Sequence, residues 1–167
     1  LAWTLKSMTD SLGAAEYVSG VVSNSAAGLQ QLLPAIIFMV AAFLAFATGT
    51  SWGTFGILIP ICIAVFPAAE PLRIISISAC MAGAVCGDHI SPISDTTIMA
   101  SAGTECKHVH HVSSQLPYAL TVATVSFITF LVAGFTQQLG IFGSAVVSWI
   151  CGISLLAGAL YVLKKKL

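Results

Sequence analysis

Of the chain's 167 residues, 57% are apolar and only 7% are charged, against roughly 25% charged in soluble domains. Formal net charge is zero, so the basic surface expected of a nucleic-acid partner or an acidic substrate is absent. No charge falls between Glu16 and Glu70, or between Lys107 and Lys164 apart from histidines, and an outer face that apolar must meet lipid rather than water.

Residues 1–23 are mildly amphipathic, carry Lys6, Asp10 and Glu16, and fit the end of a span or an interfacial helix. With no initiator Met and no basic flank before a short apolar core, they do not form a signal peptide. We expect the chain to be the C-terminal part of a longer protein. Ser23-Asn24-Ser25 with Gly28 marks a turn.

A strongly apolar segment, 32–47, covers most of a bilayer crossing at about 1.5 Å per residue. It runs into Thr48-Gly49-Thr50-Ser51-Trp52-Gly53-Thr54. A second apolar run, 55–66, precedes Pro67 and Pro71. Together they predict a helix interrupted at the membrane midplane, or a re-entrant pair. The pattern recurs: 72–86 is apolar, a polar run follows through Thr97, and 98–103 is apolar again. Pro92 disfavours helix at Ser91 and removes a backbone donor, so a break is expected there.

Residues 104–111 form a polar loop. Segment 116–135 is a long span preceded by Gln115, with Pro117 in its first turn, where proline is tolerated. Gly140 and Gly143 mark a turn. The last span, 145–163, has Trp149 near one interface and Lys164-Lys165-Lys166 at the other end, which predicts a cytoplasmic C-terminus. The expected fold class is an all-α membrane protein, polytopic, with two broken or re-entrant segments.

The second polar run carries the chemistry. Asp88 and Asp95 sit in an apolar region with Ser91, Ser94, Thr96 and Thr97, and ionisable residues within a membrane are costly and usually functional. Unwound backbone at membrane depth exposes carbonyls, and secondary transporters build cation sites this way. Sodium, a hard cation, favours the carboxylate, hydroxyl and carbonyl oxygens found here. The plainer alternative is a wet extramembrane loop. In a dry cavity a carboxylate holds its proton more tightly, so protons and sodium would compete for Asp88 and Asp95. His89 joins that proton path or serves as a hydrogen-bonding spacer. In the first run, Thr48, Thr50 and Ser51 either form a second wall of the same site or pack helices through small residues.

Other groups point less far. Cys106 with His108, His110 and His111 admits a metal reading, but an aqueous membrane edge is the simpler setting. The five cysteines are odd in number and mostly lie in apolar stretches, which suits small buried side chains. Arg73 fits an interfacial anchor. No nucleophile elbow or paired metal-ligand motif appears, so no enzymatic activity is expected.

The run from Ala47 to Thr54 followed by Ile59-Pro60-Ile61 resembles a signature of the NhaC-type sodium/proton antiporter family. So does Gly87-Asp88-His89-Ile90-Ser91-Pro92-Ile93-Ser94-Asp95-Thr96-Thr97, continued by Ser101-Ala102-Gly103. His110-His111-Val112 leading to Gln115-Leu116-Pro117-Tyr118-Ala119 is similar to the family's next block. The resemblance covers roughly residues 1–135 and makes residues 1–167 a partial transmembrane transporter domain.

It implies exchange of sodium for protons across the cell membrane, in an architecture of two related halves with broken helices or hairpins. Some relatives exchange malate and lactate instead. Asp88, Ser91, Ser94, Asp95 and Thr96 become candidate cation or substrate contacts, with Thr48, Thr50 and Ser51 facing them. Proton coupling falls to Asp88, Asp95 and His89, and sodium ligation to Asp88 and Asp95. No cofactor is expected beyond the transported sodium ion and proton. Expected partners are the lipid bilayer, the upstream half of the same transporter and, as an open alternative, a second copy. Sodium- or proton-coupled organic-acid exchange, with the N-terminus of a half-helix near Asp95 holding a carboxylate, and a non-autonomous fragment remain alternative readings.

Overall fold

Within lipid the backbone must satisfy its own hydrogen bonds, and a chain this apolar does so by helices. A computed structural model describes residues 2–23 and 27–166, and no strand occurs among them. The turn expected at Asn24 and Ser25 lies outside the described residues. Two ten-residue helices, α1 (Ala2–Ser11) and α2 (Ala14–Ser23), cover the segment expected as the end of a span or an interfacial helix, and Lys6 pairs with Asp10 one turn on. Then come α3 (Ala27–Thr48), α4 (Ser51–Val65), α5 (Pro71–Ile90), α6 (Asp95–Gly103), α7 (His108–Phe135) and α8 (Gly140–Lys166), the last after a 3-10 turn at Gln137–Leu139. Four of these helices, α3, α5, α7 and α8, are long and apolar enough to cross a membrane.

Several local expectations need correction. Helix α3 has 22 residues and runs roughly 33 Å at about 1.5 Å per residue. The first interruption therefore comes at the end of a full-length helix, not at its middle. It is also narrow: Gly49 and Thr50 alone separate α3 from α4, because the Thr50 hydroxyl accepts from the Gly53 amide and starts the next helix at once. The second interruption shrinks to Ser91–Ser94 for a related reason. Pro92 constrains its own turn but cannot unwind residues before Ser91, so Gly87, Asp88 and His89 stay in the last turn of α5. Helix α7 begins at His108, which puts Pro117 in its interior rather than its first turn, and Gly143 lies inside α8.

Helices α3 and α5 form the tightest pair. A Cβ on Gly83 would lie 2.2 Å from the Phe38 carbonyl oxygen, and one on Gly87 would lie 2.0 Å from that of Ala42. One turn further, the Ser91 hydroxyl reaches the Phe46 carbonyl. These pairs share one offset of 45 residues, so α3 and α5 run parallel. Small residues allow this backbone contact, the usual packing device where lipid surrounds the helices. Ala41, Ala45, Cys62, Cys80 and Ala84 fill the core between them and α4, and all five cysteines are free thiols.

Helix α4 brings the chain back between them. Helix α7 is antiparallel to α3, with Gly134 against Gln31 and the Phe38 and Phe130 rings 5.5 Å apart. Helix α8 is antiparallel to α7 in turn, through Ser144 to the Ala133 carbonyl and Gly152 to Thr129. The C-terminal ends of α3, α5 and α8 therefore share one end of the bundle with α6 and the start of α7. Exposed Trp52, Tyr118 and Tyr161 lie toward this end, as aromatic residues do at a membrane interface. Only 11% of the α7 span and 6% of the α8 span are buried, so both present long apolar faces outward.

Candidate functional site

Both interruptions meet at that end. Gly49 adopts φ +68, and a Cβ there would stand 2.9 Å from both Ile93 Cγ1 and the Ile93 carbonyl oxygen. Only glycine takes this left-handed turn at such close approach without strain. The Ser91 hydroxyl donates to the Phe46 carbonyl at 2.8 Å and is wholly buried. Phe46 belongs to the last turn of α3, whose carbonyls have no partner within the helix. The second interruption is thus tied to the first by a hydrogen bond and a van der Waals contact.

Around Asp88 the hydroxyls line up. Ser94 Oγ lies 2.6 Å from Asp88 Oδ1 and 2.7 Å from Thr96 Oγ1. A carboxylate only accepts, so Ser94 spends its single hydrogen on Asp88, and Thr96 must donate to Ser94. The result is a directed row, Thr96 to Ser94 to Asp88. Ser94 is fully buried, Asp88 is half-buried and Thr96 is exposed. The row brings together a carboxylate and two hydroxyls, oxygen donors of the kind a hard cation favours.

The remaining candidate residues divide. Asp95 is exposed, and its Oδ1 accepts from the Thr96 amide at 2.9 Å. It occupies the first position of α6, where a negative charge complements the helix dipole, and it takes no part in the row. Thr48 is exposed and donates to the Leu44 carbonyl one turn back. Thr50 caps α4, and Ser51 is buried in its first turn. Thr54, buried as well, donates to the Thr50 carbonyl.

His89 contributes its backbone. Its imidazole is on an exposed residue, while its carbonyl accepts from Thr97 Oγ1 at 3.1 Å and from Gln115 Nε2 at 2.9 Å. Both lone pairs of that helix-end carbonyl are filled. The sequence suggested that freed carbonyls would await a cation, yet side chains already satisfy those of Phe46 and His89.

Two contributors were not foreseen. His108, assigned by pattern to a polar loop, reaches the Pro92 carbonyl at 2.7 Å and Ser101 Oγ at 3.0 Å. Gln115, read as the residue before a span and as part of a resemblance block, holds the His89 carbonyl. Their seven-residue spacing places both on one face of a helix, and that was the available signal. Among the described residues, no three His, Cys, Asp or Glu side chains gather as a metal cluster.

A bundle of apolar helices, four of them long enough to cross a membrane, defines a polytopic membrane protein. The chain belongs to the Na+/H+ antiporter family, whose model matches residues 1–135. A Haemophilus influenzae protein of undescribed function is 50% identical over 138 residues, covering 82% of this chain and 26% of that protein. The malate-2H(+)/Na(+)-lactate antiporter of Bacillus subtilis is 33% identical over 113 residues, 65% of this chain and 24% of its own. The arginine/ornithine antiporter of Halobacterium salinarum is 33% identical over 120 residues, 68% and 24% respectively. The chain spans about a quarter of the length of these curated relatives. No solved structure matches it.

Proposed function

We propose that the chain forms part of a secondary antiporter that exchanges sodium for protons across the cell membrane, with Asp88 as the shared ligand. The observation that carries this reading is the row Thr96–Ser94–Asp88 in the interruption after α5. Sodium would take the carboxylate and hydroxyl oxygens in place of one hydrogen bond. A proton on Asp88 Oδ1 would turn that oxygen from acceptor to donor and force Ser94 to reorient. The same oxygens thus serve either cargo but not both, which is the minimum requirement for exchange. Ser91 and Ser51 support the wall, and Asp95 orders α6 beside it. Thr48 and the His89 side chain fall outside the row.

The remaining three-quarters of the transporter, the bilayer and a second copy are the partners in this reading. Lys164, at the same end of the bundle as the site, favours a cytoplasmic C-terminus. The test is proton flux in everted vesicles containing the complete transporter. Sodium addition should release a proton gradient, and no response to sodium would refute the proposal.

A second reading, organic-acid exchange, has its own support. Arg73 lines a cavity of about 480 Å³ at the opposite end of the bundle, with Gln30, Phe66 and Glu70. A guanidinium is a ready partner for a carboxylate, and one relative is named a malate–lactate antiporter. Uptake of labelled malate that Arg73→Ala abolishes would place this reading first.

A further inference from the structure

We propose that His108 is a positioning residue for the Asp88 row, acting with Gln115 as a two-point clamp from α7 on the interruption between α5 and α6. This inference rests on the cation-site reading above and assigns it a support on another helix.

The hydrogen bonds define what the imidazole does. Pro92 offers a carbonyl, which only accepts, so His108 Nε2 carries a hydrogen and donates to it at 2.7 Å. On the ring's other side, Nδ1 stands 3.0 Å from Ser101 Oγ. One side chain therefore joins the start of α7, the interruption itself and the second turn of α6. The connection is short because the chain folds back tightly after α6. The Thr104 amide bonds to Ala100, that of Cys106 bonds to Ser101, and Glu105 takes a left-handed φ of 53. Seven residues on, Gln115 Nε2 holds the His89 carbonyl at 2.9 Å.

The two clamped carbonyls flank Ser91, on either side of the point where helix α5 ends. Four residues, Ser91–Ser94, separate the Asp88 turn from α6, and proline offers no amide to brace them. Within the interruption the Ser91 amide bonds to the Asp88 carbonyl, the Ser94 amide to the Ser91 carbonyl and the Ile93 amide to Ser91 Oγ, while Phe46 and Gly49 contact it from one side. His108 and Gln115 supply the opposite side. With Pro92 released, the segment that holds Ser94 at 2.6 Å from Asp88 loses its bond to the start of α7. Partners one step behind a metal ligand work in this manner, and their loss typically weakens binding about 10- to 100-fold.

The test uses the complete transporter in two measurements, amide hydrogen exchange of residues 91–97 and sodium-dependent proton flux. His108→Ala should speed exchange of that segment about tenfold or more, and raise the half-saturating sodium concentration about tenfold, with less change in maximal flux. His108→Gln, whose terminal amide can still donate to Pro92, should restore both. A purely structural role predicts the reverse pattern: fewer working molecules, hence lower maximal flux, at an unchanged half-saturating concentration. That pattern, or unchanged exchange in His108→Ala, overturns the clamp. Should wild-type flux show no sodium response, the cation-site reading fails, and hydrogen exchange still decides whether the clamp exists.

Discussion

The two interruptions lie at the same end of the bundle and touch each other, yet their polar side chains are used differently. In the first, Thr48 bonds back to Leu44, Thr50 caps α4 and Thr54 bonds to Thr50. Each hydroxyl is consumed within its own connection. In the second, Ser91 crosses to Phe46, Thr97 and Gln115 meet at His89, His108 reaches Pro92, and Ser94 binds a carboxylate. Polar residues in a membrane thus serve two ends: closing a helix turn locally, or building a site between helices. The distinction lies in the length of chain each bond spans, and a count of hydroxyls does not reveal it.

Substitutions can break or sharpen this contrast. The largest effect is expected at Gly49, the single point where both interruptions need the same atom to be absent. Gly49→Val adds a β-branched side chain at positive φ against Ile93, costing roughly 3 kcal/mol or more in strain and overpacking. Folded protein recovered from membranes should fall sharply, and normal recovery would show that the two interruptions do not abut.

Removing a ligand oxygen while sparing the fold is milder. Ser94→Ala leaves the helix boundaries intact but deletes the centre of the row. The half-saturating sodium concentration for proton flux should rise about tenfold, by analogy with lost partners at metal sites. Milder again is Ser91→Ala, which strands the Phe46 carbonyl and should cost about 1 kcal/mol, the typical worth of one such bond. Thermal unfolding in detergent would register it. Least of all, Thr48→Val should change stability by no more than about 0.5 kcal/mol, because its hydroxyl only bonds back within an exposed turn. A large loss of transport in Thr48→Val would return the first interruption to the cation site.

Much of this architecture is legible in the sequence because lipid imposes strong rules. Charge-free stretches marked the spans, and the runs around Gly49 and Pro92 marked the interruptions. The boundaries were less legible. Apolar counting missed that Ala27–Gln31 extend α3 and that His108–Gln115 extend α7, since polar residues at helix ends look like loops to a composition rule. The site was half legible. Asp88, Ser94 and Thr96 do meet, at spacings of six and two residues. Asp95 matched the same composition, but its place at the start of α6 turns it toward its own helix. The roles of His108 and Gln115 were not legible, because their partners at the interruption are backbone carbonyls, which no side-chain motif encodes.

The central claim is that Asp88, not Asp95, holds the transported cation. Its most direct test compares Asp88→Asn with Asp95→Asn in the complete transporter, at matched expression, by sodium-dependent proton flux in everted vesicles. The account predicts that Asp88→Asn abolishes the flux while Asp95→Asn retains it with a modest loss. Flux that survives in Asp88→Asn and vanishes in Asp95→Asn would contradict it and move the site to the first turn of α6.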